Sequence, residues 1–146
     1  MSDYRNKRET QAPQTPRKQA KEVFEEKIFK PAWITEGADK EMVEYAEHMG
    51  KFMAGNGLTS SKIRNVYGEV KRIQMDFQKN RASFYLLTPK VAYAVGRDKN
   101  IQGLRLFQLV FNAAAENVTD EKTYLNFCNF IEAVLAYHKA YVEKDN

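Results

Sequence analysis

Leu104-Arg105-Leu106-Phe107-Gln108-Leu109-Val110-Phe111-Asn112-Ala113-Ala114-Ala115 is the stretch that decides the fold, because its apolar residues point in almost every direction of a helical wheel. A helix that is apolar nearly all round is buried by its neighbours. The segment from about Lys99 to Asn117 is therefore expected to be a central helix. Working outward, the residues on either side of it show the three- and four-residue spacing of amphipathic helices.

On the N-terminal side, Met42, Tyr45, Ala46, Met49, Phe52 and Met53 form one stripe of a helix from about Asp39 to Ala54. Asp39, Glu41 and Glu44 crowd its first turns, where the helix dipole favours acids. Gly55-Asn56-Gly57 ends it with residues that tolerate a left-handed cap. Thr59 is a natural N-cap for a second helix running to about Lys79, with Ile63, Val66, Tyr67, Val70, Ile73 and Phe77 facing inward. Thr88-Pro89 reads as an N-cap followed by proline at the first helical position, opening a third helix that carries Val91, Ala92 and Val95 and ends at Gly96. Leu86-Leu87 would then belong to a preceding turn, or to a helix kinked at Pro89. After the central helix, a fifth starts at Thr119 or Asp120 and carries Tyr124, Phe127, Cys128, Ile131, Val134, Leu135 and His138 on one face. No stretch alternates as a strand does. The expected fold is all-α: a single-domain, antiparallel bundle of about five helices over residues 34–146, preceded by a flexible N-terminal extension over 1–33. Residues 1–20 read as a disordered basic tail, with too little apolar surface to offset chain entropy. Val23-Phe24 and Ile28-Phe29 suggest a short helix or turn stopping at Pro31, and Trp33 and Ile34 would pin the extension to the body.

No run of about 18 apolar residues occurs, the length a membrane-spanning helix needs, and no apolar leader follows Met1. The lone Cys128 allows no internal disulfide and fits a reducing cytoplasm. The net charge of +4 is unevenly spread. Residues 62–105 hold ten Lys/Arg against three acids, whereas residues 36–47 hold five acids against one lysine and residues 106–146 six acids against three lysines. A basic middle between acidic flanks points to a polyanionic partner on one face; a plain solvated helix surface is the competing explanation.

Residues equipped for catalysis are sparse. Gly55 to Lys62 superficially resembles a phosphate loop, but a helix precedes it and its lysine follows the serines, so a C-cap running into an N-cap explains it. The free N–H groups of that helix start, its two serines and Lys62 could still hold one backbone phosphate. His138 and Cys128 fall on an apolar face and read as core residues. His48 has Glu44 and Glu47 nearby but no further ligand at metal spacing. The expectation is a non-catalytic protein with neither metal nor cofactor.

The basic face is better defined. Arg64 and Lys71 lie about 20° apart on a helical wheel, since seven residues make nearly two turns. Gly68 sits between them and leaves room for a close-lying strand. Ser61, Arg72 and Lys79 widen this side, while Lys62 lies off it, nearer Glu69 and Asp76. Lys90 and Arg97 join the face if the second and third helices pack side by side. Such side chains grip phosphates without reading bases. Tyr85 and Tyr93 could stack on bases, though burial in the core is the commoner outcome for a tyrosine.

Two segments carry a resemblance. Leu58-Thr59-Ser60-Ser61-Lys62-Ile63-Arg64-Asn65 and Pro89-Lys90-Val91-Ala92-Tyr93-Ala94-Val95-Gly96-Arg97 resemble, in order and separation, the two signatures of the small helical subunit of the type III-A CRISPR (Csm) effector complex. The likeness covers roughly residues 38–142. It implies a helical, non-catalytic protein that stacks in copies beside other Csm subunits. It implies contact with target RNA, and with the guide–target duplex, through basic residues and without sequence preference. Carried over residue by residue, Lys62, Arg64, Lys90 and Arg97 match the signatures' basic positions; Lys71 is added from the helical wheel alone. The extension through about Trp33 departs from shorter members. A helical adaptor for other proteins, a small DNA-binding bundle and the corresponding subunit of the type III-B (Cmr) complex are the competing readings.

Overall fold

The large apolar side chains on either side of Pro31 fix where the chain begins to pack. The computed structural model describes residues 18–145, with side chains through 142; most of the tail expected over residues 1–20 lies outside them. Every regular element among the described residues is a helix: α1 (Ala20–Glu26), α2 (Ala32–Thr35), α3 (Lys40–Gly55), α4 (Ser60–Gln74), α5 (Arg81–Tyr85), α6 (Leu87–Arg97), α7 (Gln102–Ala115) and α8 (Glu121–Asp145). The five expected helices correspond to α3, α4, α6, α7 and α8; the short α5 was not expected. From Lys18 onward the segment assigned to a flexible extension is packed. Ala20 and Val23 are buried, the Ala20 amide donates to Gln102 Oε1 at 2.8 Å, and α1 lies on α7. The near-complete apolar girdle of α7 is what makes room for it. Trp33 and Ile34 are buried as expected, and Trp33 joins Phe29, Tyr45 and Phe130 in one aromatic cluster.

Local chemistry sets the ends of the helices. Asp39 Oδ1 accepts from the Met42 amide at 2.8 Å and caps α3. Asp120 Oδ1 accepts from the Thr123 amide at 2.9 Å at the start of α8. α4 stops at Gln74, short of the expected Lys79. There Asp76 Oδ1 takes the Lys79 amide at 3.1 Å and the Asn80 side chain donates to the Asp76 carbonyl at 2.8 Å. Side chains that bond nearby backbone compete with a continuing helix, and the resulting turn swings Phe77 inward onto Tyr124, 4.8 Å between centroids. α6 starts at Leu87, two residues before the proline expected to lead it, so Thr88 is helical rather than a cap. The amides of a first turn have no partner within the helix, which lets Pro89 sit at the third position while Leu87 anchors the start in the core.

α3 and α8 form the largest interface. Tyr45 stands beside Phe130 and Lys51 lies over the Tyr141 ring, so positions rise together and the two helices run parallel. The antiparallel arrangement expected from short connections holds for α4 against α6, where Lys62 meets Asp98 and Glu69 meets Lys90, but not for α3 against α8. The backbones of α3 and α8 come close at Gly50, where a Cβ would lie 2.8 Å from both the His138 amide nitrogen and the Val134 carbonyl. The buried His138 ring bonds the Leu58 carbonyl through Nε2 at 2.6 Å, tying the α3–α4 connection to α8.

Candidate nucleic-acid interface

α4 buries Ile63, Val66, Val70 and Ile73, and α6 buries Leu87, Val91 and Val95. The positions next to those stripes open outward between the two helices as a groove of about 860 Å³. The helices are antiparallel: Lys62 at the start of α4 meets Asp98 beyond the end of α6, and Glu69 meets Lys90 near the α6 start. Lys62, Lys90 and Arg97 all line the groove, together with Ser61, Asn65, Leu86, Pro89 and Tyr93.

Two carboxylates temper these cations. Lys62 Nζ lies 3.0 Å from Asp98 Oδ2, and Lys90 Nζ lies 3.8 Å from Glu69 Oε2. Glu69 is also gripped at both oxygens by Arg72, at 2.9 and 3.3 Å. That hydrogen bonding holds its carboxyl below the ordinary value, against a smaller opposing effect of burial. Arg97 makes no ion pair among the described residues; its guanidinium lies 5.9 Å from the centroid of the Tyr93 ring. Exposed ion pairs contribute about 0–1 kcal/mol, so Lys62 and Lys90 can turn to a phosphate at little cost.

Arg64 and Lys71 lie elsewhere. Lys71 Nζ is 4.0 Å from Glu132 Oε2 on α8 and 5.9 Å from the centroid of the Tyr67 ring. Arg64 is exposed, with no ion pair among the described residues. Two residues of helix turn the wheel by about 200°, which separates Arg64 from Lys62 by nearly half the circumference of α4. The five candidate cations therefore form two groups: Lys62, Lys90 and Arg97 in the groove, Arg64 and Lys71 on the flank of α4 toward α8. The single face expected to gather Arg64, Lys71, Lys90 and Arg97 is divided by the crest of α4. Arg72 is committed to Glu69 and Asn80, and Lys79 falls in the turn beyond the helix.

Sequence reasoning overlooked Asp98 as the partner of Lys62 and the lining roles of Glu69 and Asn65. Glu69 gave a usable signal, being seven residues from Lys62 and so on the same side of α4. Asp98 gave none without knowledge of how α6 crosses.

The remaining candidate chemistry is quiet. Burial pushes the Cys128 thiol up to about 11, opposite to the depression that makes a thiolate reactive. Desolvation, with Lys27 adding to it, lowers the His48 pKa. Among the described residues, no three His, Cys, Asp or Glu side chains are grouped to hold a metal. No helix among them is long and apolar enough to cross a membrane.

Fold and groove together define the class: an all-helical protein that presents lysine, arginine and an aromatic ring in an open cleft between two helices. The chain belongs to the Csm2 Type III-A family, whose model matches residues 36–144. It is thus a small subunit of the type III-A CRISPR–Cas Csm complex, assembled with other Csm subunits. The match begins after α1 and α2, so the segment packed on α7 precedes it. The curated proteins and the solved structures contain no match to the chain.

Proposed function

We propose that this subunit binds the sugar–phosphate backbone of RNA, the target strand and the guide–target duplex, without sequence preference and without catalysing a reaction. In this reading it stacks as repeated copies beside the other Csm subunits in a cytoplasmic ribonucleoprotein. The convergence of Lys62, Lys90 and Arg97 on one groove carries the reading, since cations from two separate helices meet where a strand can lie. Membership in a family of CRISPR subunits supports it. Arg64 and Lys71 form a second contact on the α4 flank, suited to a neighbouring turn of the same nucleic acid.

Salt dependence tests both the binding and its division. Three phosphate contacts on a single strand weaken binding roughly 20-fold between 50 and 200 mM salt, and five roughly 130-fold. Fluorescence anisotropy with a labelled single-stranded RNA is expected to show binding that Lys90→Glu/Arg97→Glu abolishes. Arg64→Glu/Lys71→Glu is expected to reduce the salt slope by about two contacts without removing binding. If the wild-type protein ignores RNA even at low salt, a helical adaptor for proteins is the better description. Preference for duplex DNA over single-stranded RNA would instead make it a DNA-binding bundle.

A further inference from the structure

The two tyrosines that could meet a base are separated by the structure. Tyr85 is exposed, but its ring rests tilted on Phe84, 5.6 Å between centroids, outside the groove. Tyr93 is 70% exposed and lies in the groove wall. A tyrosine ring left this bare on a helix that buries Leu87, Val91 and Val95 is surface that folding does not use. Beside it Leu86 and Pro89 add apolar lining, and Leu86 is itself more than half exposed.

The groove's other members decide what can occupy it. Glu69 and Asp98 lie in the lining and repel a phosphate that moves in between the helices. Lys90 and Arg97 reward a phosphate that stays near them. The neutral part of a nucleotide is the piece that matches apolar lining, an exposed aromatic face and carboxylates able to accept from base amino groups. We infer that the groove takes a single-stranded RNA segment with one unstacked nucleobase laid on the Tyr93 ring while Lys90 and Arg97 hold the flanking phosphates. This rests on the RNA-binding reading above and specifies the form of RNA the groove accepts. A base still paired and stacked in an A-form duplex cannot offer its face to Tyr93, so this groove engages a single strand or a base splayed out of a helix. Arg97, 5.9 Å from the centroid of the same ring, places a cation beside the base that would stack there.

The test uses the full chain and two labelled RNAs with the same backbone, one bearing bases throughout and one abasic at every position. Stacking of a base on an aromatic side chain changes affinity by about tenfold. The wild-type protein is expected to favour the base-bearing strand by about that factor. Tyr93→Leu keeps an apolar side chain at the site and is expected to erase the preference, binding both strands as the wild type binds the abasic one. Tyr93→Phe should retain the preference, and Tyr85→Leu should behave as wild type. Equal wild-type affinity for the two strands, or a Tyr93→Leu protein that keeps the preference or weakens on both strands alike, overturns the inference. In those cases loss of abasic-strand binding in Lys90→Glu/Arg97→Glu leaves the backbone reading standing. Binding of neither strand by the wild type overturns both.

Discussion

At Gly50 on α3, an added Cβ would lie 2.8 Å from backbone atoms of α8; at Gly68 on α4, it would meet nothing within 4 Å. Gly103, at the start of α7, belongs with Gly50: a Cβ there would come within 2.5 Å of the Met53 carbonyl oxygen and 2.9 Å of that of Asn56. The Gly103 amide already donates to Asn56 at 2.8 Å. One half of the molecule, α3 with α7 and α8, is thus closed by backbone approaching backbone. The other, between α4 and α6, is left open and bridged by charged side chains. The second can exchange its charged partners for a ligand.

The sharpest way to break this contrast is to add the same methyl group to each half. Backbone atoms cannot rotate away as a side chain can, so Gly50→Ala and Gly103→Ala are each expected to lose about 1–3 kcal/mol in urea unfolding. Gly68→Ala is expected to gain roughly 0.5–1 kcal/mol, as alanine replaces glycine inside a helix with open space around it. A Gly50→Ala protein as stable as wild type would show that α3 and α8 can part without penalty, and the distinction between the halves would fail.

The closed half was largely legible in the sequence. The stripes of α3 and α8, the all-round apolarity of α7, the acid-rich start of α3, the Asp120 cap and the inward side of His138 are properties of a single helix, legible without its neighbours. The open half was less so. A helical wheel places Arg64, Lys71 and Lys62 around one axis, but only the helices packed against that axis decide which positions share a groove. α6 lies on the Lys62 side and α8 on the Lys71 side, so cations that look like one basic run are divided. The early end of α4 depended on Asp76 and Asn80 turning their side chains to the backbone, a competition that apolar period does not register. The parallel course of α3 and α8 was hidden because four helices intervene between them in the chain.

A smaller effect separates fold from ligand within the open half. The Lys62–Asp98 pair is partly exposed, with 29% and 43% of the two side chains accessible, so Asp98→Asn is expected to shift unfolding by less than ~1 kcal/mol. Its effect on RNA should run the other way. Loss of a carboxylate from the groove frees Lys62, and single-stranded RNA should bind tighter by up to about fivefold at low salt, converging with wild type as salt rises. A variant that unfolds easily and binds no better would mean the pair closes the helices together rather than lining a ligand groove.

The smallest expected difference lies in how the two halves respond to acid. Asp120 accepts from both the amide and the hydroxyl of Thr123, at 2.9 Å each, and these bonds lower its pKa. Glu69 is lowered as well, chiefly by its hydrogen bonds to Arg72. A carboxyl depressed in the folded protein contributes stability above its unfolded value, about 4 for either residue. That contribution fades as pH falls through the folded value. Asp120→Asn retains a good N-cap but cannot titrate, and Glu69→Gln removes the titrating partner of Arg72. Each variant should therefore lose less stability than wild type as pH drops below about 4. The Asp120 effect comes from bonds to neutral groups and should persist in high salt. The Glu69 effect comes from an exposed pair of opposite charges and should shrink there. Equal salt sensitivity of the two acid limbs would mean that the start of α8 is held by charge, as the groove is.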